Sequence, residues 1–503
     1  MSTKPAGSRA EAAALILSAT SQRLTAAATA VAPGRTPDEA GSTLSFLLAR
    51  ARVEPGVIWL TLVASQGRFP TDADVLELRR RLATRNDGEV AAWLLGRTVS
   101  DRRLGHLTME MDVVTDGVVV GVDFCARHDI HTGIHRVVRE TLPRWLARSE
   151  LVAAANVDAY DALRTLAPRE HHRVFAFGTP LDVDPHEERA YRARLVVPWR
   201  STLVLPEIPE PRFAPSLASF AQHSGNRLTL VGYDMIPVVS ADLRPPEDAV
   251  RFGHYLAAVK HAHAVAAISM SATVEFSGFA HAVTAQGLPG PRVVEVVLPA
   301  DVPPAASTPP APGRPRVLCV GSHEPHKNHL AVLHAAERLW REGLDFELQL
   351  IGGAGWRRDD FTDLLARIAR SGRPVTNRGR VSDDELWTAF REATFSVFLS
   401  LHEGFGLPVV ESLGCGTPVL TSAFGSMAEI ADDGGCVTVD PMDDDAVADA
   451  MRVLLTDPDH LAALRAAAAA RPRRTWDEYA AEAWSVLVAG DQGPDATTRR
   501  RLQ

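Results

Sequence analysis

The sequence predicts an α/β protein with two parallel-sheet domains that face each other across a cleft, preceded by a small α-helical module. Three observations lead to this fold class. Residues 1–112 are rich in helix formers, and from residue 117 short β-branched segments alternate with amphipathic helical segments. A proline-rich stretch at residues 302–315 divides the alternating region into two halves. Because proline lacks an N–H and fixes φ, this stretch is predicted to be a linker.

The composition narrows the possible functions. The chain of 503 residues is too long for one ordinary domain, and its formal charge of −9 argues against a nucleic-acid partner, whose binding surfaces are usually basic. The four cysteines form no CxxC pair, which indicates a reducing compartment. We find neither a signal peptide nor an apolar run long enough to span a membrane, so we expect a cytoplasmic protein.

The N-terminal module, residues 1–112, shows no recognisable chemistry. The stretch "AEAAALILSATSQRLTAAATAV" consists of helix formers throughout, and "TDADVLELRRRLAT" keeps its apolar residues on one face. Thr71 or Asp72 is placed to cap the second of these helices. We therefore expect a helical accessory module.

The first α/β domain is predicted over residues 117–305. It opens with the β-branched run "GVVVGVDFCA", which is typical of a buried parallel strand. Further segments of the alternating pattern are "RVFAFG", "STLVLP", "LTLVGYDMIPVV", "AHAVAAIS" and "RVVEVVLP".

The second α/β domain is predicted over residues 314–475. Its predicted strands include "RVLCVGS", "FELQLIGG", "TFSVFLS", "TPVLTS" and "GGCVTVD", and Ser382 with Glu385 forms a capping-box pattern at one of its helices. Residues 476–503 are predicted to form a helix that packs back on the first domain, followed by a flexible tail. Two such domains predict a binding cleft at the carboxyl ends of their strands.

The stretch "SLHEGFGLPVVES", which follows one of these strands, is the strongest functional signal. Gly404 and Gly406 allow a tight turn and a close approach of a ligand to the main chain. Pro408 suits the first turn of a helix that begins at about Leu407. The free N–H groups and the dipole of this helix start favour an anion.

Two glutamates flank this anion site, Glu403 on the loop and Glu411 in the helix. Carboxylates beside a phosphate would repel it, so they make sense only if they reach hydroxyl groups on either side. A nucleotide-diphosphate sugar supplies such hydroxyls, on its sugar at one end and on its ribose at the other.

The pattern E-G-F-G-L-P-x-x-E, followed by "GTPVLTS", resembles the E-x7-E signature of family-4 retaining glycosyltransferases with the GT-B fold, two Rossmann-like domains around a cleft. "CVGSHEPHKNH" is similar to that family's phosphate loop, and "RGRVSDDEL" to its nucleobase loop. In the first domain, "HTGIHR" looks like the "TGIxR" loop and "YDMIP" like the "HDxIP" element. The "EPxKN" variant resembles mannosyltransferases of polysaccharide assembly most.

The resemblance implies roles for individual residues. Glu403 would contact the donor sugar near the reacting face, and Lys327 would stabilise the departing diphosphate, so these two are the expected catalytic residues. Tyr233 and Asp234 of "YDMIP" are expected on the acceptor side. The residues expected to bind the nucleotide-sugar are Gly133, Ser322, Arg380, Val381, Gly404, Phe405, Gly406, Leu407 and Glu411.

The sequence departs from the family pattern at three of its positions. Many relatives have arginine where this chain has Ser322, whereas subgroups with "EPxKN" have serine or threonine there and often arginine where this chain has His326. The phosphate charge would then rest mainly on Lys327, one of only three lysines in the chain. Tyr233 stands where the family element has histidine.

The resemblance therefore implies a retaining, metal-independent hexosyltransferase. We expect mannose from GDP-mannose as the donor, with UDP- or dTDP-sugars as alternatives, and a glycan, lipid-linked or small-molecule acceptor. No cofactor and no metal are expected, and contact with the inner face of a membrane is compatible with the basic helix "IHRVVRETLPRWLARS".

Other interpretations remain. The first alternative is a GT-B protein that binds a nucleotide-sugar without transferring it. A dinucleotide oxidoreductase is disfavoured, because G-x-G-x-x-G follows neither first strand. The histidines of "HDIHTGIH" suggest zinc but lack a second pair of ligands. Asp182 and Asp184 match the spacing of a metal-binding DxD motif. Because Asp184 precedes Pro185, a helix start with Asp184 as its N-cap is the simpler interpretation.

Overall fold

The computed structural model describes residues 6–34, 40–100, 104–299, 302–303, 313–356 and 359–490. Most of the predicted linker at 302–315 and the tail predicted at the end of the chain therefore lie outside the described residues. No helix within these ranges is long and apolar enough to cross a bilayer.

Helices fill the N-terminal part of the chain. Thr71 caps the fourth of them in a capping box with Asp74, which confirms one of the two predicted caps. The third helix is buried from Val57 to Gln66, so it is a core helix and not a surface one. The helices are α1 (Ala6–Val31), α2 (Ala40–Ala51), α3 (Pro55–Gln66), α4 (Asp72–Thr84), α5 (Asp87–Ser100) and α6 (Leu104–Leu107).

A nine-stranded sheet follows in the part of the chain that the structure describes up to residue 299. Its strands are β1 (Met111–Thr115), β2 (Val118–Gly121), β3 (Val152–Asn156), β4 (Leu163–Thr165), β5 (Leu195–Trp199), β6 (Thr202–Leu205), β7 (Arg227–Gly232), β8 (Ala264–Ala267) and β9 (Arg292–Glu295). The strand order is β1-β5-β4-β3-β2-β6-β7-β8-β9, and β4 runs antiparallel to its neighbours.

Two segments of this half differ from their sequence-based predictions. Residues 111–112 were included in the helical module, but they begin β1, which pairs in parallel with β5 from Met111 opposite Leu195. The segment "RVFAFG" at residues 173–178 is not a strand, because its first residues close a helix whose polar face carries Arg169, Glu170 and His172. In both cases long-range packing outweighs the local pattern.

Eight helices connect the strands in this described stretch. They are α7 (Asp123–Arg127), α8 (Gly133–Leu146), α9 (Pro168–Phe175), α10 (Pro185–Ala190), α11 (Ala214–His223), α12 (Ile236–Val239), α13 (Pro246–Val259) and α14 (Met270–Val283). Asp184 caps α10, its carboxylate accepting the N–H of His186 at 2.7 Å, which confirms the predicted helix start.

The second sheet has six parallel strands among the described residues. They are β10 (Arg316–Val320), β11 (Glu347–Ile351), β12 (Val375–Asn377), β13 (Phe395–Phe398), β14 (Val419–Ser422) and β15 (Cys436–Val439). Their order, β12-β11-β10-β13-β14-β15, reverses direction between β10 and β13. This is the Rossmann order, in which ligands bind at the carboxyl ends of the strands at the reversal point.

The helices around this sheet are α15 (His329–Arg341), α16 (Asp359–Arg370), α17 (Asp383–Glu392), α18 (Leu407–Gly414), α19 (Gly425–Ala431), α20 (Asp444–Thr456), α21 (Pro458–Ala470) and α22 (Trp476–Trp484). The capping box of Ser382 and Glu385 at α17 is formed as predicted. Helix α22 returns to the first domain, where Trp145 donates its indole N–H to the carbonyl of Ala480 at 2.7 Å. Two Rossmann-like parallel-sheet domains with helices before them confirm the predicted fold class.

The N-terminal helices share their hydrophobic core with the first sheet. Trp59 and Phe69 meet Phe220 of α11, with ring centroids 5.5 and 6.1 Å apart. Arg23 of α1 is fully buried, and its guanidinium donates to the carbonyls of Ala64, Leu107 and Met109, each at 2.8 Å. This arginine joins α1, α3 and the chain leading into β1.

Candidate functional site

A cavity of about 520 Å³ lies between the two domains, at the carboxyl ends of both sheets. We call it the interdomain cavity. It brings together ten of the thirteen residues singled out in the sequence. These are Gly133, Tyr233, Asp234, Lys327, Glu403, Gly404, Phe405, Gly406, Leu407 and Glu411.

The turn between β13 and α18 is shaped by its two glycines. Gly406 has a φ of +110° at the N-cap of α18, and Pro408 stands in the first turn as predicted. A Cβ on Gly404 would lie 2.3 Å from the Tyr233 carbonyl oxygen, and Ser269 donates to the Gly404 carbonyl at 2.6 Å. Gly404 therefore lets the second domain close against the first.

Glu403 is held as a carboxylate next to Lys327. The ammonium of Lys327 donates to Glu403, and the Ser400 hydroxyl donates to the same oxygen at 2.5 Å. Burial acts to raise the pKa of Glu403, but the positive charge of Lys327 and the hydrogen bonds outweigh it and lower the pKa below its ordinary value. The two residues expected to be catalytic thus form one ion pair at the wall of the cavity.

Glu411 pairs with Arg136, a residue that the sequence-based predictions did not include. Arg136 belongs to α8 of the first domain, and its guanidinium donates to the Glu411 carboxylate across the cleft. Burial raises the pKa of Glu411 to about 7, although Arg136 opposes the shift. The arginine stands in the stretch "TGIHR", so its place in that motif was the available signal.

Two helix N-termini and two cationic side chains face this cavity. The first turn of α8, with Gly133, lies against the first turn of α18, since a Cβ on Gly133 would come within 3.1 Å of the Leu407 side chain. Arg136 and Lys327 line the same space. Two helix N-termini, a guanidinium and an ammonium form a site suited to a diphosphate.

Tyr233 and Asp234 lie at the wall of the cavity, but the tyrosine is not placed to exchange protons there. Its hydroxyl donates to the Pro206 carbonyl at 2.6 Å, and burial raises its pKa well above the ordinary value. Burial also raises the pKa of Asp234 to about 6. Of the two acceptor-side residues, Asp234 is the one that can take up a proton near neutral pH.

Ser322, Arg380 and Val381 do not line the interdomain cavity. Arg380 is exposed, with its guanidinium above Gly353, and Val381 packs beside Trp387 on the core of the second domain. The structure places them outside the space that holds the other ten residues, because helix α17 contributes Asp383 and Trp387 to the wall instead. A nucleobase role for the Arg380 loop stays a prediction.

Further contacts close the two domains on each other beside Glu403. His402 bonds to Glu275 at 2.6 Å and to Ser240 at 2.8 Å, both in the first domain. Burial acts to lower the pKa of His402, but the Glu275 carboxylate raises it above its ordinary value. Glu429 accepts hydrogen bonds from the N–H groups of Met270 and Ser271 at the start of α14.

The histidines considered for zinc have other partners. His135 stacks on Phe124 with centroids 4.4 Å apart, and His131 stacks on Phe177 at 5.0 Å. Within the described ranges, no group of three or more histidine, cysteine, aspartate or glutamate side chains is arranged to hold a metal ion.

The fold and the cavity define a two-domain α/β protein with an anion site at the strand-order reversal of its second sheet. Residues 305–471, which carry that site, match the family described as "Glycosyl transferases group 1". This part of the chain is therefore similar to the group 1 glycosyltransferases.

Two curated relatives from Escherichia coli match within this chain. The O-antigen chain mannosyltransferase B is 37% identical over 131 residues, which cover 26% of this chain and 34% of the relative. The serotype-specific mannosyltransferase WbdA is 33% identical over 117 residues, covering 23% of this chain and 14% of the relative. The chain thus spans about a third or less of the length of these relatives.

Solved structures show a weaker likeness. The Anabaena protein Alr3699/HepE, solved in complex with UDP and glucose, is 14% identical with a TM-score of 0.49, covering 74% of this chain and 100% of that one. We therefore assign the fold from the sheet order and the interdomain cavity of this protein alone.

Proposed function

We propose that the protein is a retaining glycosyltransferase that moves a hexose from a nucleotide-diphosphate sugar to a glycan, lipid-linked or small-molecule acceptor. The first choice of donor is GDP-mannose, and the first choice of acceptor is a glycan. The proposal includes a cytoplasmic location and a reaction without a metal ion.

The proposal rests mainly on one observation, which is that the predicted residues of both domains line the same cavity. Glu403, Glu411 and Lys327 lie around the start of α18, and Gly133 of the other domain lies opposite. This arrangement offers a carboxylate on each side of an anion site. It fits a ligand with hydroxyls at both ends and a diphosphate in the middle.

Each residue then has a chemical task. Glu403 would bind hydroxyls of the donor sugar, and Glu411 would bind ribose hydroxyls. Arg136, which lines the same cavity, would add its positive charge to that of Lys327 at the diphosphate. The negative charge that builds up on the leaving diphosphate would meet these two cations and two helix N-termini, which is why we propose that no metal is needed.

The choice of mannose has separate support. Both Escherichia coli relatives are named as mannosyltransferases, and one of them as acting on an O-antigen chain. Their similarity covers only part of each protein. The retaining stereochemistry rests on the E-x7-E resemblance.

Thermal unfolding with GDP, UDP, ADP and dTDP tests the proposal first. A nucleotide at 100 times its dissociation constant should stabilise the folded protein by about 2.7 kcal/mol. GDP should give the largest shift, and GDP-mannose with a mannoside acceptor should then give product. The anomeric carbon–proton coupling of that product should show the configuration of the donor.

Each negative result of these experiments leads to a different conclusion. A shift with GDP but no transfer to any acceptor would favour a sugar-nucleotide-binding protein without transferase activity. A larger shift with UDP or dTDP would replace the donor and keep the reaction. An inverted product would contradict the retaining assignment.

A further inference from the structure

A second cavity, of about 380 Å³, lies within the first domain, at the carboxyl ends of β2, β3 and β6. We call it the distal cavity. Its lining includes Phe124, Asn156, Tyr160, Glu207, Phe213 and Arg244, and it shares no lining residue with the interdomain cavity. Its volume falls within the range usual for small-molecule sites.

The distal cavity contains buried polar groups with spare hydrogen-bonding capacity. Asn156 is 3% exposed, and its side-chain oxygen has no hydrogen-bond partner. Glu207 is 7% exposed and accepts the N–H groups of Phe124 and Cys125 at 2.8 and 2.9 Å. Two carboxylate oxygens can accept about four bonds in all, so further donors can be accommodated. An unpaired buried amide oxygen is costly, but this oxygen has no accessible surface, so the Asn156 amide has to turn before a ligand hydroxyl can reach it.

The remaining lining favours a neutral polyhydroxylated ligand. The rings of Phe124, Tyr160, Phe213 and Phe252 supply apolar faces. The lining also carries four acids, Asp123, Glu207, Glu210 and Asp248, against two arginines, Arg244 and Arg251. Arg244 is already paired with Asp248 at 2.8 Å. Sugars combine hydroxyl donors with apolar C–H faces, which suits a lining of carboxylates and aromatic rings.

The two cavities are direct neighbours. Phe124 of the distal cavity stacks on His135, which lies in the first turn of α8 beside the interdomain cavity. Tyr233 of the interdomain cavity donates to Pro206, the residue before Glu207. Pro237 lines one cavity and Asp234, three residues earlier, lines the other. Both cavities lie at the carboxyl edge of the first sheet, so a chain of sugars bound in both has to run along that edge, past the wall that these contacts form.

We propose that the distal cavity binds an inner sugar residue of the acceptor, so that the preferred acceptor is a neutral oligosaccharide and not a single sugar or a phosphorylated lipid. The inference rests on the proposed transferase function and specifies its acceptor. The terminal sugar would lie near Glu403, and an earlier sugar would bind Asn156 and Glu207.

The test compares acceptors of increasing length. With GDP-mannose as donor, α-linked manno-oligosaccharides of one to four residues should show kcat/KM rising ~10-fold or more with length, mainly through KM, because each buried hydrogen bond contributes about that factor. N156L removes the amide but keeps the branched shape of the side chain, and it should abolish the gain from length. Its rate with the shortest acceptor and its GDP-induced shift should match the wild type.

Two further variants provide a second test and a control. F124A removes a ring that is 37% exposed and is expected to fold, and it should also reduce the gain from length. I130A, which truncates a residue that is 39% exposed in the loop after α7 and lines neither cavity, should leave it unchanged.

Calorimetric titration with the tetrasaccharide gives a reading that does not depend on transfer. Binding by the wild type that N156L and F124A weaken ~10-fold supports the inference. Equal kcat/KM for all lengths, or equal tetrasaccharide affinity in wild type and both variants, would overturn it while the transferase proposal stands. Loss of every nucleotide-induced shift in the wild type would instead count against the proposed function.

Discussion

The two glutamates of the E-x7-E stretch occupy opposite electrostatic settings. Glu403 is ionised beside Lys327, whereas burial raises the pKa of Glu411 to about 7 beside Arg136. When the surroundings of two carboxyl groups shift their pKa values in opposite directions, the two groups often have different chemical roles. We therefore expect substitutions at the two positions to fail in different ways.

Glu403→Gln should reduce transfer by at least ~100-fold and leave nucleotide binding near wild type, because the amide cannot form the ion pair that positions Lys327 and the sugar. Glu411→Gln should instead weaken nucleotide binding ~10-fold, through weaker hydrogen bonds to ribose. Steady-state kinetics with calorimetry of GDP binding checks both. Loss of nucleotide affinity alone in both variants would show that the roles are misassigned.

Nucleotide-sugar affinity should depend on pH through Glu411. Its pKa is raised to about 7, so the carboxyl is largely neutral at about pH 6 and ionised at about pH 8. Only the carboxylate accepts hydroxyls with both oxygens, so affinity for GDP-mannose should increase ~10-fold over that range. Binding isotherms at several pH values measure this effect. A variant with Glu411→Gln should show a flat profile, and a wild-type profile equally flat would contradict the assignment.

Lys327→Ala should lower kcat by ~100- to 1000-fold, the usual loss when one charge-stabilising donor is removed. It also leaves the Glu403 carboxylate without its cation. Excess EDTA should leave the wild-type rate unchanged. Lys260→Ala, at another of the three lysines, is the matched control and should be silent. Full loss of activity in EDTA, restored by magnesium or manganese, would refute the metal-free account.

At the scale of elements, the turn before α18 is a point of close contact between the two domains. Gly404 lies against the Tyr233 carbonyl, and Ser269 holds the Gly404 carbonyl. A side chain there must push the domains apart, since the atom it would meet is backbone. The catalytic geometry should therefore be lost before the fold is.

Gly404→Ala should lower kcat/KM by at least ~100-fold, as misplacement of about 1 Å commonly does, while each domain remains folded. Activity together with far-ultraviolet circular dichroism tests this. Gly278→Ala, at an exposed helical glycine with no heavy atom within 4 Å of the added carbon, should keep full activity. An active Gly404→Ala protein would mean that closure at this turn is not required.

The strands and turns of the site were predictable because they depend on local chemistry. Gly406 and Pro408 define the start of α18 by themselves, and Ser382 with Glu385 defines that of α17. Strand β1 was not predictable in this way. Its five residues make a strand only because β5, more than eighty residues later, offers an edge.

The side-chain pairs of the site were harder to foresee. Arg136 and Glu411 are 275 residues apart, and no local pattern says that the two domains meet there. The pairing of Lys327 with Glu403 likewise depends on how the phosphate loop packs against the turn. Which residues of a motif reach a shared cavity is decided by domain closure, so Arg380 could be assigned from the motif yet lie outside the cavity.

At the scale of the whole molecule, the N-terminal helices and the first sheet form one cooperative unit. Arg23 supplies three hydrogen bonds to backbone carbonyls, and the ring cluster of Trp59 and Phe69 continues into α11. The helices contribute to the stability of the domain that carries Arg136, even though they contribute no residue to the interdomain cavity.

Arg23→Met should lower the free energy of unfolding by at least ~3 kcal/mol, because three buried carbonyls lose their donor. Denaturant unfolding followed by tryptophan fluorescence measures it. Arg50→Met, which removes an exposed i,i+4 pair with Glu54, should change stability by less than ~1 kcal/mol. Equal stability of both variants would show that the N-terminal helices are only loosely attached.

The position of β1 at the edge of the sheet has a practical consequence for anyone who shortens the gene. A fragment starting at residue 117 would keep the entire interdomain cavity. It would nevertheless leave β5 with an unpaired edge and uncover the apolar faces of α11 and the sheet, a surface that recruits other chains. Such a fragment should precipitate during expression, so engineering of the interdomain cavity has to retain the N-terminal hundred or so residues, although none of those that the structure describes lines it.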